Sequence, residues 1–177
     1  FLDELNEKSR QQGLSNKITT LEASISVLPF SRGQFDLIWS EGAIYNIGFE
    51  HGIVLWKEFL KPGGYLAVSE MTWTSQSRPK EIQDFWTRAY PEIDTAANKI
   101  RILEENGFTL EGYFNLGPES WIETYYRPME LRFEAFLSRY NHSELARKVV
   151  EEHQSEIELY NTYQDYFSYG FYIAKKG

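Results

Sequence analysis

Along this chain, segments with apolar residues at helical spacing take turns with short, nearly continuous apolar runs, and glycine or proline turns separate them. Residues 1–13 mix charged and helix-favouring residues, carry Phe1, Leu2 and Leu5 on one side, and stop at Gly13, which predicts a helix. Residues 17–23 alternate and are β-branched, which predicts a strand. The run Phe35-Asp36-Leu37-Ile38-Trp39 has the form of a buried parallel strand. Residues 49–60 then place Ile53, Val54, Trp56, Phe59 and Leu60 at helical intervals before Lys61-Pro62-Gly63-Gly64, and residues 65–70 read as the next strand. Strand and helix in alternation point to βαβ units and a parallel sheet.

The second half breaks this rhythm. Residues 71–80 read as a polar loop, 81–90 and 95–106 as helices, and 108–116 as a strand. Residues 117–126 hold Trp121, Tyr125 and Tyr126 in a loop or short helix, and 128–140 are helical. From Ser143 onward Leu145, Val149, His153, Ile157 and Tyr160 recur as the stripe of one long helix, and residues 169–174 form a closing strand. No internal repeat or linker marks a boundary, so residues 1–177 are expected to form a single domain.

Composition narrows the partners. With 26 acidic against 18 basic residues and a net charge of −8, no basic stripe is present to hold nucleic acid or an anionic membrane. The absence of cysteine excludes disulfides, thiolate zinc sites and cysteine nucleophiles, and makes the cytoplasm the default compartment. No segment approaches the roughly 18 to 20 apolar residues of a membrane span. Aromatic residues make up 16% of the chain, so rings with polar tips should line much of the core and any small-molecule cleft. The tyrosines and tryptophans of the second half also make a homodimer reasonable. His51, His142 and His153 are too scattered for spaced metal ligands, and packing or solvent accounts for them.

Three pieces in fixed order carry the chemistry: Leu28-Pro29-Phe30, then Phe35 to Ser40 after a polar turn, then Leu60-Lys61-Pro62-Gly63-Gly64-Tyr65 leading into a strand. Over about residues 1–70 this order resembles the class I S-adenosylmethionine-dependent methyltransferases, most closely the small-molecule branch related to ubiquinone and menaquinone biosynthesis enzymes. The resemblance implies an α/β, Rossmann-like sheet in the order 3-2-1-4-5-7-6, with strand 7 antiparallel, helices on both faces and S-adenosylmethionine at the carboxyl ends of the strands. This chain would supply strands 3 to 7. The family's glycine-rich turn and ribose-binding acid have no counterpart, because Gly63-Gly64 precede a strand instead of opening a helix. Together with Phe1 in place of a methionine, this creates the expectation of an N-terminally incomplete domain. Residues 17–23 would then be a strand short of neighbours.

Residue by residue, the resemblance places Ser24 and Ile25 at the adenine and Ser40 and Glu41 at the methionine end. Ser24 stands where the family usually has an acid. Methyl transfer is an in-line displacement on a sulfonium, so alignment and water exclusion matter more than covalent catalysis. Glu70 is the candidate general base and Tyr45 its catalytic companion, with Trp73, Trp86, Tyr90, Trp121 and Tyr125 around the acceptor and residues 71–128 as pocket and lid. Each has a plainer alternative: a solvated carboxylate or salt bridge for Glu70, and core packing or a dimer surface for the rings. Glu92 and Asp94 fit either a lid or a surface turn. The function expected is methyl transfer to a small molecule. A non-catalytic binding or assembly protein on the same sheet, and more remotely a nucleotide-dependent oxidoreductase, are the alternatives.

Overall fold

The structure, a computed structural model, describes all residues from 1 to 177. The chain forms two compact units, Phe1–Ser31 and Arg32–Gly177. In the first, helix α1 (Leu2–Gln11) carries Asp3 and Glu4 in its first turn and Lys8 and Arg10 in its last, each sign complementing the nearer end of the helix dipole. The Gln12 and Gly13 amides return to Lys8 and Arg10 carbonyls, with Gly13 at a φ of +68°.

The strand expected over residues 17–23 is not formed. The only bridge in this unit pairs Ser24 with Val27 across a tight turn, where the Ser24 and Ser26 hydroxyls share a 2.8 Å hydrogen bond. A β-branched, alternating segment becomes a strand only when a neighbour takes its amides and carbonyls. The unit provides none.

The second unit is a mixed sheet in the order β1-β2-β5-β4, formed by β1 (Phe35–Ser40), β2 (Leu60–Trp73), β4 (Phe108–Asn115) and β5 (Phe167–Lys176). The two-residue β3 (Asp94–Thr95) pairs with the end of β2. β1 and β2 run parallel, while β5 is antiparallel to both β2 and β4. This matches the 4-5-7-6 part of the strand order that the resemblance implies.

β2 is longer than the apolar run suggests. Its register with β5 runs unbroken from Tyr65 opposite Lys175 to Trp73 opposite Phe167, so Met71 to Trp73 are strand instead of loop. At its start, a side chain on Gly64 would meet the Asp36 and Phe35 carbonyls at 3.1 and 3.3 Å, and Gly63 takes a φ of +73°. The paired glycines thus let β2 enter hard against β1.

Helices α2 (Phe49–Lys57), α3 (Lys80–Ala89), α4 (Ala96–Glu105) and α8 (Glu144–Tyr163) follow the predicted spacing. Thr95 and Ser143 cap α4 and α8, each hydroxyl accepting the amide three residues on. The buried stripe of α8 is Ala146, Val150, Ile157 and Tyr160, and Leu145 is exposed. The helix expected over 128–140 is broken at Leu131 and Arg132 into α6 (Arg127–Glu130) and α7 (Phe133–Arg139). Just before it, α5 (Pro118–Trp121) widens into a π-helical turn over Ile122–Tyr126. The core beneath contains Met71, Trp73, Ile82, Trp121, Tyr160 and Phe167. No helix is long and apolar enough to cross a membrane.

Candidate functional site

A cavity of about 670 Å³ opens where β1 ends and along the later part of β2. Because side chains alternate along a strand, Ser69 and Met71 face it while Glu70 and Thr72 point to the opposite face. Glu41 and Gly42, directly after β1, form one wall, and the Gly42 amide donates to the Ser69 hydroxyl at 2.8 Å. Tyr45, from the 3₁₀ turn Ile44–Asn46, stands edge-on to Tyr90 at 6.0 Å between ring centres.

The opposite wall comes from the second half. Trp86 and Tyr90 project from α3 and its end, and Trp121 and Tyr125 from the α5 and π-helical segment. The Trp121 ring stacks on Tyr169 at 5.1 Å and on Tyr160 at 5.0 Å, and its indole N–H donates to the Ser168 hydroxyl at 3.2 Å. Glu156 of α8 completes the lining and accepts the Tyr126 hydroxyl proton at 3.0 Å. Burial raises the phenol pKa of Tyr90 and Tyr125 and pushes that of Tyr169 up to about 12, so these rings are neutral at physiological pH.

Six of the expected residues therefore meet around one cavity: Glu41, Tyr45, Trp86, Tyr90, Trp121 and Tyr125. Ser24 and Ile25 lie in the first unit, at its Ser24 to Val27 turn. Ser40 ends β1 with a buried hydroxyl that has no hydrogen-bond partner. Trp73 belongs to the core, only 5% exposed, with the Arg78 guanidinium 4.1 Å over its ring.

Glu70 departs most from expectation. Its carboxylate is fully buried and does not line the cavity. One oxygen lies 3.5 Å from the Lys99 ammonium, and the other has no hydrogen-bond partner. Burial raises its pKa while the Lys99 charge pulls the other way, and burial lowers the Lys99 pKa against the attraction of Glu70. Lys99 also donates to the Glu92 carbonyl at 2.7 Å and sits 4.5 Å over the Phe49 ring. The Tyr90 hydroxyl lies near the same carboxylate but has no hydrogen-bond partner of its own. A strand run of this kind shows that residue 70 ends an apolar segment, but not which face it takes.

Glu92 and Asp94 resolve as helix caps. The Glu92 carboxylate accepts the Phe49 amide at 2.8 Å and so closes the start of α2, and Asp94 accepts from the Thr95 amide and the Asn98 side chain at 2.7 and 2.8 Å. Sequence reasoning misses Glu156 and Tyr169. Tyr169 reaches the cavity because the antiparallel register sets it opposite Met71, and Glu156 sits within an acidic helix whose solvated and inward positions look alike in the sequence.

S-adenosylmethionine is the cofactor this fold implies. Glu41 on the cavity wall suits its amino-acid end, while the Ser40 hydroxyl beside it is buried off that wall. No glycine-rich turn opens a helix after a strand, since Gly48 and Gly117, the caps of α2 and α5, stand singly. The fit is therefore confined to one end of the cofactor.

Comparison with known proteins gives the same picture. A family model described as a methyltransferase domain matches residues 1–68. No curated protein sequence matches. The structure is similar to that of YjhP from E. coli, with a TM-score of 0.83 at 18% identity over 99% of this chain and 72% of that one. A S-adenosylmethionine-dependent methyltransferase from Geobacter sulfurreducens, solved with S-adenosyl-L-homocysteine, gives 0.80 at 17% identity over 99% and 71%. The [4+2]-cyclase SpnF gives 0.72 at 19% identity over 96% of this chain, which spans only 60% of SpnF. These likenesses establish an α/β, Rossmann-like methyltransferase fold with one antiparallel strand.

Proposed function

We propose that this chain forms the acceptor side and the methionine-end wall of an S-adenosylmethionine-dependent methyltransferase for a small molecule. The observation that carries the reading is the single cavity at the end of β1, which brings Glu41 and Tyr45 together with rings contributed by distant segments. Bound, the cofactor supplies an electrophilic methyl group on a sulfonium. In this reading Glu41, on the cavity wall, holds its amino-acid end. Trp86, Trp121 and Tyr125 orient the acceptor and exclude water, and Tyr45 is the polar group nearest the reaction. Glu70 acts as a positioning residue behind Tyr90, because its buried carboxylate is engaged by Lys99 and does not line the cavity.

The quinone-biosynthesis likeness rests on residues 1–70 and leaves the acceptor open, since the rings of the opposite wall come from later in the chain. The same ring-rich half supports a homodimer, which sedimentation would read. A binding protein on this fold is the second reading, favoured by the lack of a glycine-rich turn between a strand and a helix.

Titration with S-adenosylmethionine separates the two. The full gene product should bind in the micromolar range and methylate a small acceptor, whereas the 177-residue chain should bind at least about tenfold more weakly because only one end of the cofactor is held. No binding by the full gene product at millimolar cofactor overturns the enzyme reading.

A further inference from the structure

The charge on the cavity wall is one-sided. Glu41 and Glu156 are its only ionisable side chains other than tyrosines, and no lysine, arginine or histidine lines it. Between the two carboxylates stand Tyr45, Trp86, Tyr90, Trp121, Tyr125 and Tyr169. The aromatic face carries negative electrostatic potential, so rings grouped around a space favour a cation within about 6 Å of their centres. The phenols cannot spoil this by competing as anions, because burial keeps Tyr90, Tyr125 and Tyr169 protonated. An anionic acceptor would meet two carboxylates on the wall, and the one basic ring within reach of them, His153, lies 3.8 Å from Glu156 and off the wall.

A second feature concerns the other end of such a ligand. Ser120 lies on the same wall, where a hydroxyl can donate to an oxygen on the ligand, while the Trp86 indole N–H is buried without a hydrogen-bond partner behind the cavity surface. The volume of about 670 Å³ exceeds what a trimethylammonium head occupies and leaves room for an oxygen-bearing tail.

We propose that the acceptor is an amine bound as its ammonium ion, with an oxygen at its far end, held between the rings and Glu156, which would take the ammonium proton and so free the nitrogen lone pair that accepts the methyl group. This rests on the methyltransferase reading for the word acceptor, but the binding itself requires no cofactor.

The test uses the 177-residue chain and its tryptophan fluorescence, titrated with choline and with its neutral isostere 3,3-dimethylbutan-1-ol. Choline should bind at least about tenfold more tightly than the neutral compound. Glu156→Gln should remove about three- to tenfold of that preference while leaving the affinity for the neutral compound unchanged, since glutamine still accepts the Tyr126 hydroxyl proton. Equal affinities, tighter binding of the neutral isostere, or no binding of either overturns the proposal. Displacement of choline by S-adenosylmethionine but not by S-adenosylhomocysteine also overturns it, by assigning the rings to the cofactor's sulfonium. A chain that fails this test can still bind S-adenosylmethionine and transfer methyl groups to a neutral acceptor, so the two readings fall separately.

Discussion

The two faces of β2 use polar groups in opposite ways. On the face carrying Glu70 and Thr72, charge meets charge inside the protein: one Glu70 oxygen lies 3.5 Å from Lys99 while the other is buried without a partner, and Thr72 shares a 2.7 Å hydrogen bond with the Tyr172 hydroxyl while donating to its own strand. On the face carrying Ser69 and Met71, the surrounding donors and acceptors are left partly open, with the Trp86 N–H unpaired and Glu41 and Glu156 on the wall. One strand thus separates a closed network that holds the sheet to α4 from an open one suited to a ligand. Removing a polar partner on the closed face should therefore lower stability, whereas substitution of the exposed Glu41, Tyr45 and Tyr125 on the open face should spare the fold and impair only binding.

The largest effect is expected from Lys99→Met. It leaves the fully buried Glu70 carboxylate without its counter-charge and should cost about 3–5 kcal/mol in urea denaturation. Burial already raises the Glu70 pKa above its ordinary 4.5, and losing the cation raises it further. The folded state then holds that proton more tightly than the unfolded chain does. The deficit relative to wild type should accordingly be smallest below about pH 4.5 and grow as the pH rises through and above that value. The double variant Glu70→Gln/Lys99→Met should recover most of the loss, because no buried charge remains. If the single variant is as stable as wild type at pH 7, the two faces do not differ as argued.

Thr72→Val comes next on the same face. It deprives the fully buried Tyr172 hydroxyl of a partner and should cost about 1–2 kcal/mol, with Thr72→Val/Tyr172→Phe closer to wild type. Glu92→Ala sharpens the boundary between the faces, since that carboxylate caps α2 from across the loop. A loss of about 1 kcal/mol is expected by thermal denaturation, and Glu92→Gln should retain part of the cap.

How far the sequence shows this division depends on the distance over which partners act. The run from Phe35 to Trp39 and the spacing in residues 49–60 are local signals that become β1 and α2, but the burial expected of the first does not follow, since β1 lies at the sheet edge with Leu37 48% and Trp39 61% exposed. Residues 17–23 show the opposite case: their alternation is as clear, but strand formation needs a neighbour that the pattern does not encode. The rings of the cavity are legible as a group because aromatic residues concentrate in the second half. Tyr169 and Glu156 are not, because an antiparallel register and the phase of one helix bring them in. Glu70 is legible as a carboxylate at a strand's later half, yet its role turns on which side of the pleat it occupies. Its partner Lys99, far along the chain, settles that.

Tyr45→Phe is the smallest expected effect on stability and the sharpest on function. The Tyr45 ring is 42% exposed and makes its edge contact with Tyr90 through carbon atoms that phenylalanine keeps. Its hydroxyl anchors nothing within the chain, so the melting transition should move by no more than about 0.5 kcal/mol in stability. If that hydroxyl contacts the reacting groups, as proposed, methyl transfer by the full gene product should fall by about a hundredfold, in kcat more than in KM. A variant that keeps wild-type turnover makes Tyr45 a wall residue. One that loses its fold instead would mean the open face carries structural weight after all, and the contrast between the two sides of β2 would fail at its most exposed point.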